Sequence, residues 1–242
     1  MPRICEEGIN SVITRHHYFF KGKGTALSPR LDTDIDLSAE LLRKSLHLGA
    51  LLIPWGMLYF DKVPALLILA VAAITALSLD LARARFTAVA TLIHGLFGKL
   101  MRPKEIPHSK TSPAINGSTW VLIASFLLLL VFPARIAAFS LVIFLIGDAA
   151  SGIIGRKYGR TSWRISNRTV EGTAAFLAVS LIVASLMPGT ERWIGVIAAI
   201  FASAVEILPG PFNDNLQVPI ATAGVIVFLE YAVSGGISQF FS

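Results

Sequence analysis

One cysteine, Cys5, stands in 242 residues. It leaves no partner for an internal disulfide and no thiolate set for a metal cluster. Charge is scarce as well. Asp, Glu, Lys and Arg make up 15% of the chain, against 54% hydrophobic residues and a mean hydropathy of +0.68. That balance excludes an ordinary soluble domain and points to a polytopic membrane protein. The first residues carry no apolar h-region, so no cleavable signal peptide is expected. No Walker phosphate loop and no protein-kinase catalytic loop occurs, which excludes the soluble-type nucleotide folds. The formal net charge is +6. In such a chain, basic loops serve insertion orientation and anionic headgroups rather than nucleic acid.

What the chain has in abundance is apolar runs. Segments 45–60, 63–79, 119–133, 136–155, 172–187, 192–208 and 216–234 are each about long enough to cross a bilayer when tilted or extended by their flanks. They predict an all-α, polytopic bundle of about seven transmembrane helices. Residues 80–118 interrupt the series. There Phe86, Val89, Ile93, Leu96, Phe97 and Leu100 recur at helical spacing, predicting an amphipathic helix in the membrane interface, with a polar loop after it. An N-terminal extension, 1–40, precedes the membrane domain, 41–242. In it, Ile9, Val12, Ile13, Tyr18, Phe19 and Phe20 read as a short surface helix and 21–38 as a polar linker. His16 and His17 are adjacent, face apart on a helix and have no third ligand nearby, so no metal site is expected there.

Seven spans allow a charge count. With the N-terminus in the cytoplasm, seven Lys and Arg precede the first span, six fall in 80–118 and five in 156–171. Eighteen of 21 then lie inside, leaving Lys62, Arg135 and Arg192 outside. On this topology Arg43, Lys44, His47, Asp80, Asn116, Asp148, Glu171, Glu206, Asp214 and Asn215 sit at or just inside one membrane surface. Ionisable groups in membrane segments are costly and face a protein interior or a watery cavity. Several at one depth, drawn from different spans, predict a shared site.

The densest stretch is 147–172, GDAASGIIGRKYGRTSWRISNRTVEG. On a helix Asp148, Gly152, Gly155 and Gly159 share one face, a carboxylate followed by bare backbone. Another helix, or a bulky anion such as a triphosphate, fits such a face. Arg156, Lys157, Arg160, Arg164 and Arg168 follow. Upstream, Arg43 and His47 in RKSLH are one turn apart and suit phosphate, with His47 as a proton acceptor. The plain alternatives are headgroup anchoring for Arg43 and Lys44, helix-dipole placement for Glu171, and N-capping for Ser118, Thr119, Asp214 and Asn215. Glu206 has fewer such explanations, and Glu230 reads as isolated and structural. The carboxylates suit Mg²⁺, which takes one or two protein oxygens alongside substrate phosphates.

Five pieces carry a resemblance: RKSLH at 43–47, NGST at 116–119, GDAASGIIGRKYGR at 147–160, NRTVEGT at 167–173 and EILPGPFNDNLQVP at 206–219. Together they resemble the integral membrane CTP-dependent lipid kinases, among them dolichol, phytol and CTP-dependent diacylglycerol kinases. Arg168 stands where that family usually has lysine. The resemblance implies γ-phosphate transfer from CTP to a lipid alcohol at the cytoplasmic face. Asp148, His47 and Glu171 would be catalytic, and Asp148, Glu171, Glu206 and Asp214 would hold Mg²⁺. Arg43, Lys44, Gly152, Gly155, Arg156, Lys157, Gly159, Arg168, Gly172 and Asn215 would line the nucleotide and its phosphates. The alcohol stays open among polyprenol, dolichol, phytol and diacylglycerol. Phosphatidate cytidylyltransferases share a similar glycine-rich stretch, but their His-Gly-Gly and Asp-Arg signature is absent. A small transporter is the non-enzymatic alternative, although its charges would gather near the midplane.

Overall fold

A computed structural model describes residues 37–97, 115–186, 188–210 and 212–234. The expected N-terminal surface helix, most of the linker and the loop at 98–114 lie outside the described residues. The described chain forms nine helices: α1 (Leu37–Gly49), α2 (Leu52–Tyr59), α3 (Lys62–Arg85), α4 (Thr87–Phe97), α5 (Gly117–Val131), α6 (Ala134–Tyr158), α7 (Val170–Leu186), α8 (Arg192–Ile207) and α9 (Asp214–Ser234). Among the described residues there is no sheet, only an isolated bridge between Ser162 and Thr169. α3, α6 and α9 are long and apolar enough to cross a membrane, and α4, α5 and α7 are shorter apolar helices. The architecture is an all-α membrane bundle.

α6 is the central element. It packs against α1, α2, α5, α7, α8 and α9. Between Ile136 and Ser151 most of its side chains are buried, many of them small: Ala137, Ala138, Ser140, Gly147, Ala149, Ser151. Lipid tails are as apolar as leucine, so burial from lipid gives little of the drive it gives from water. Close approach of backbones supplies the contact energy instead. A Cβ on Gly147 would lie 2.8 Å from the ring of Phe176, which is fully buried. A Cβ on Gly195 of α8 would lie 3.2 Å from Ala184 of α7. These glycines are where helices touch.

The first expected span is not one helix. α1 ends at Gly49, and the amides of Ala50 and Leu51 fold back onto the carbonyls of His47 and Leu48, at 3.0 Å each. Pro54 is the reason. A helix running through would need Pro54 to donate to the carbonyl of residue 50, and proline has no N–H to give. In the first turn of α2 that missing donor costs nothing. The amphipathic helix expected after residue 86 is α4, set off from α3 by the extended Phe86 at φ −113°, ψ 114°.

Candidate active site

Lys44 of α1 points into the bundle and is 1% exposed. Its ammonium donates to Oδ2 of Asp148 on α6. His47, one turn on, brings Nε2 to 3.4 Å from the same oxygen and sets its ring edge-on to Phe144 at 5.7 Å. Lys44 and His47, rather than Arg43 and His47, therefore form the face of α1 that meets Asp148. Arg43 lies beside them, half-buried on the wall of a cavity.

Arg168 is delivered to the same place by a tight turn. In the connection between α6 and α7 the Trp163 amide donates to the Arg168 carbonyl and the Val170 amide to the Thr161 carbonyl, both at 2.9 Å. The Trp163 indole donates to Thr173 at 3.1 Å. Thr169 caps α7 by accepting from the Gly172 amide at 3.1 Å. Held this way, the Arg168 guanidinium spreads its fork over three acids. One arm lies 3.2 Å from Glu206 Oε1 and 4.0 Å from Asp148 Oδ1, and the other donates to Asp214. Planar bidentate reach of this kind is an arginine property that lysine lacks. Burial by itself would lower the Arg168 pKa. Glu206, Asp148 and Asp214 outweigh it and hold the group above its ordinary value, so it stays cationic.

Glu206 completes the network. Its Oε1 accepts from Ser151 at 3.0 Å, one turn along α6 from Asp148. Its Oε2 is buried and has no hydrogen-bond partner among the described residues. Asp214 is available because another residue caps α9: Asn213 accepts from the Asn215 amide at 3.0 Å. Asn215 in turn donates to the Gly117 carbonyl at 2.7 Å, joining α9 to α5. Three carboxylates, Asp148, Glu206 and Asp214, therefore share Lys44 and Arg168.

Glu171 does not join them. It is half-buried, in the first turn of α7, and accepts from the Thr161 amide at 3.3 Å. The turn that turns Arg168 inward turns Glu171 outward. The expected four-acid set is thus a three-acid set. Among the described residues no group of three or more His, Cys, Asp or Glu is gathered closely enough to hold a metal ion by itself.

The glycine face is also different from the expected phosphate cradle. A Cβ on Gly155 would lie 2.7 Å from Thr169 Oγ1 and 3.4 Å from the Gly172 Cα, and one on Gly159 would lie 2.7 Å from the Thr169 methyl. Gly155, Gly159 and Gly172 are filled by one another and by Thr169, so they seat the Arg168 turn rather than leave room for a triphosphate. Gly152 is half-buried on α6. Arg156 is half-buried in the last turn of α6, and Lys157 is exposed, 5.1 Å over the Tyr158 ring.

Beside this network lies a second one. Asp80, 3% exposed at the end of α3, accepts from the Asn116 amide at 2.9 Å, the Asn116 side chain at 3.0 Å and Thr119 at 2.7 Å. Arg83 approaches it at 3.2 Å. Thr119 is thus spent on α3, not on capping α5. Between the two networks is a cavity of about 520 Å³, lined by residues of α1 to α5 and by Asn215, with His47 on its wall. Ser151 gave no sign in the sequence; for Arg83 the available clue was Asp80 three residues before it. At the opposite end of the bundle Arg135 meets Glu230 at 2.9 Å, so Glu230 is not isolated.

Fold and site define an integral membrane protein with acids and cations buried together at one end of an all-α bundle. No family model matches the chain. No solved structure matches it. Among curated proteins it is 26% identical over 194 residues to an uncharacterised protein of Rickettsia prowazekii, covering 77% of this chain and 92% of that one. It is 45% identical over 87 residues to the dolichol kinase of Saccharomyces cerevisiae, covering 31% of this chain and only 16% of that one. It is 24% identical over 212 residues to the CTP-dependent diacylglycerol kinase 1 of Schizosaccharomyces pombe, covering 78% of this chain and 93% of that one. These relatives support the CTP-dependent lipid kinase family for this chain.

Proposed function

We propose that this protein transfers the γ-phosphate of CTP to the hydroxyl of a lipid alcohol at the cytoplasmic face of a membrane. One observation carries the reading: Lys44, His47, Asp148, Arg168, Glu206 and Asp214, from five separate parts of the chain, meet at one end of an apolar bundle. Charges held at such cost are kept for function. The similarity to a dolichol kinase and a CTP-dependent diacylglycerol kinase points the same way.

Magnesium fits this donor set. It takes one or two protein carboxylates and completes its shell with water and phosphate. Asp148 Oδ1 and the unpartnered Glu206 Oε2 have capacity left. The ion would supply neutralisation of the triphosphate charge. Lys44 and Arg168 supply further positive charge from the protein, and their carboxylate partners hold them in position. Catalysis in such transfers is mainly positioning and charge stabilisation. The alcohol oxygen forms a bond to the γ-phosphorus, the bond to the leaving CDP oxygen breaks, and the hydroxyl proton must leave. His47 is the suited acceptor, since it touches both Asp148 and the cavity. Asp148 already shares its charge with Lys44, His47 and Arg168.

The test is a matrix of purified protein with four nucleotides and a panel of polyprenols, phytol and diacylglycerol. Phosphorylated lipid with CTP supports the reading. Consumption of no nucleotide with any alcohol sinks it.

A further inference from the structure

The cavity beside His47 grades from polar to apolar. Arg43, His47, Asp80, Asn116 and Asn215 stand at its mouth. Deeper along the same helices come Ala50 and Ile53, Ala76, and Val121 and Leu122. From Thr119 to Leu122 is about one helical turn, roughly 5 Å, so the apolar floor lies just beneath the polar rim. The mouth is already built. The Asp80 carboxylate is used by Asn116 and Thr119, and the Asn215 amide by Gly117. Such a rim holds a fixed shape rather than offering loose donors to an aqueous ligand.

The side wall is open. Leu46 is 57% exposed and Leu79 50% exposed, although both line the cavity. In a membrane that opening faces hydrocarbon. An apolar ligand can therefore slide in from the bilayer without crossing water. The volume, about 520 Å³, falls in the range of small-molecule pockets, roughly 300–1,000 Å³. His47 both lines this cavity and lies 3.4 Å from Asp148.

We infer that this cavity is the acceptor site, holding the hydroxyl of a lipid alcohol at His47 and the first part of its hydrocarbon tail against Ala50, Ile53, Ala76 and Leu122. The inference rests on the kinase reading for its chemistry, but the site is tested by binding alone. Ala76 and Leu122 sit on facing helices and set how bulky the tail can be. Ile93 of α4 adds to the apolar lining.

The experiment uses the full-length protein in nanodiscs with a photoactivatable long-chain alcohol carrying a diazirine near its hydroxyl. Crosslinked peptides are mapped by mass spectrometry. Labels on α1, α3 or α5, competed by unmodified alcohol, are expected. Ala76→Trp should cut labelling roughly tenfold or more, as the loss of pocket fit commonly does, while CTP binding measured on the same sample stays unchanged. Ala50→Leu is the milder variant should Ala76→Trp fail to fold, with the same expectation at smaller size. Labels that map elsewhere, or that survive both fillings undiminished, overturn the site. Turnover measured in parallel judges the kinase reading separately: labelling in the cavity with no phosphorylated product for any nucleotide would leave this site standing and that reading fallen.

Discussion

Lys44 and Asp148, 104 residues apart in the chain, form an ion pair inside the bundle that joins α1 to the central helix. Both are almost fully buried. Removing two ions from water costs several kcal/mol each, and breaking one partner of a buried pair typically costs roughly 3–5 kcal/mol. Lys44→Met should therefore lower the thermal midpoint, because Asp148 loses its nearest cation and keeps only His47 at 3.4 Å and an arm of Arg168 at 4.0 Å. Lys44→Met combined with Asp148→Leu should recover most of the stability and none of the turnover. Recovery of both by the double variant would make the pair purely structural.

Glu171 and Glu206 separate cleanly. Glu171 is half-buried and bound to a loop amide by an exposed hydrogen bond, whereas Glu206 is buried against Arg168 with one oxygen unpartnered. Glu171→Gln should keep turnover within about a factor of three, the effect of a lost exposed hydrogen bond of about 0.5 kcal/mol. Glu206→Gln should cut it by about 100-fold or more. Equal losses in the two variants would restore Glu171 to the reaction.

Arg168 holds Glu206 and Asp214 with different arms of its guanidinium. Lysine keeps the charge but contacts as a single point. Arg168→Lys should lower kcat/KM for the nucleotide by roughly tenfold, the loss of one hydrogen bond to a charged group at about 1.5 kcal/mol. Steady-state kinetics at saturating lipid measures this. Unchanged kinetics would mean that one contact suffices.

The seat of α6 on α7 has its own test. Gly147→Ala places a methyl 2.8 Å from the buried Phe176 ring. Overpacking of this kind costs roughly 1–3 kcal/mol, so the melting temperature in detergent should fall by several degrees. The same substitution at Gly49, which has open space around its Cβ position, should leave it unchanged or raise it.

Much of this was legible in the sequence because a membrane makes charge conspicuous. Lys44, Asp148, Glu206 and Asp214 stood out as ionisable groups at the ends of apolar runs, and such groups must find one another. The break between α1 and α2 was also written there, in Pro54, but the continuous hydropathy of 45–60 masked it. Glu171 was not legible. Whether it faces inward depends on a turn closed by the Ser162–Thr169 bridge, a pairing that has no composition cue. The glycines at 155, 159 and 172 fit a phosphate cradle or a helix seat equally well on spacing alone. Thr169 decides for the seat. The cavity beside His47 is a property of packed helices, and no single segment announces it.

The most direct measurement is transfer of labelled γ-phosphate from CTP to lipid alcohol by the purified protein in nanodiscs, wild type against Asp148→Asn. Asparagine keeps the shape and removes the charge that Lys44, His47 and Arg168 share. The expected result is labelled lipid from the wild type and a loss of about 1,000-fold in the variant. Lipid labelled at comparable rates by both would contradict the account.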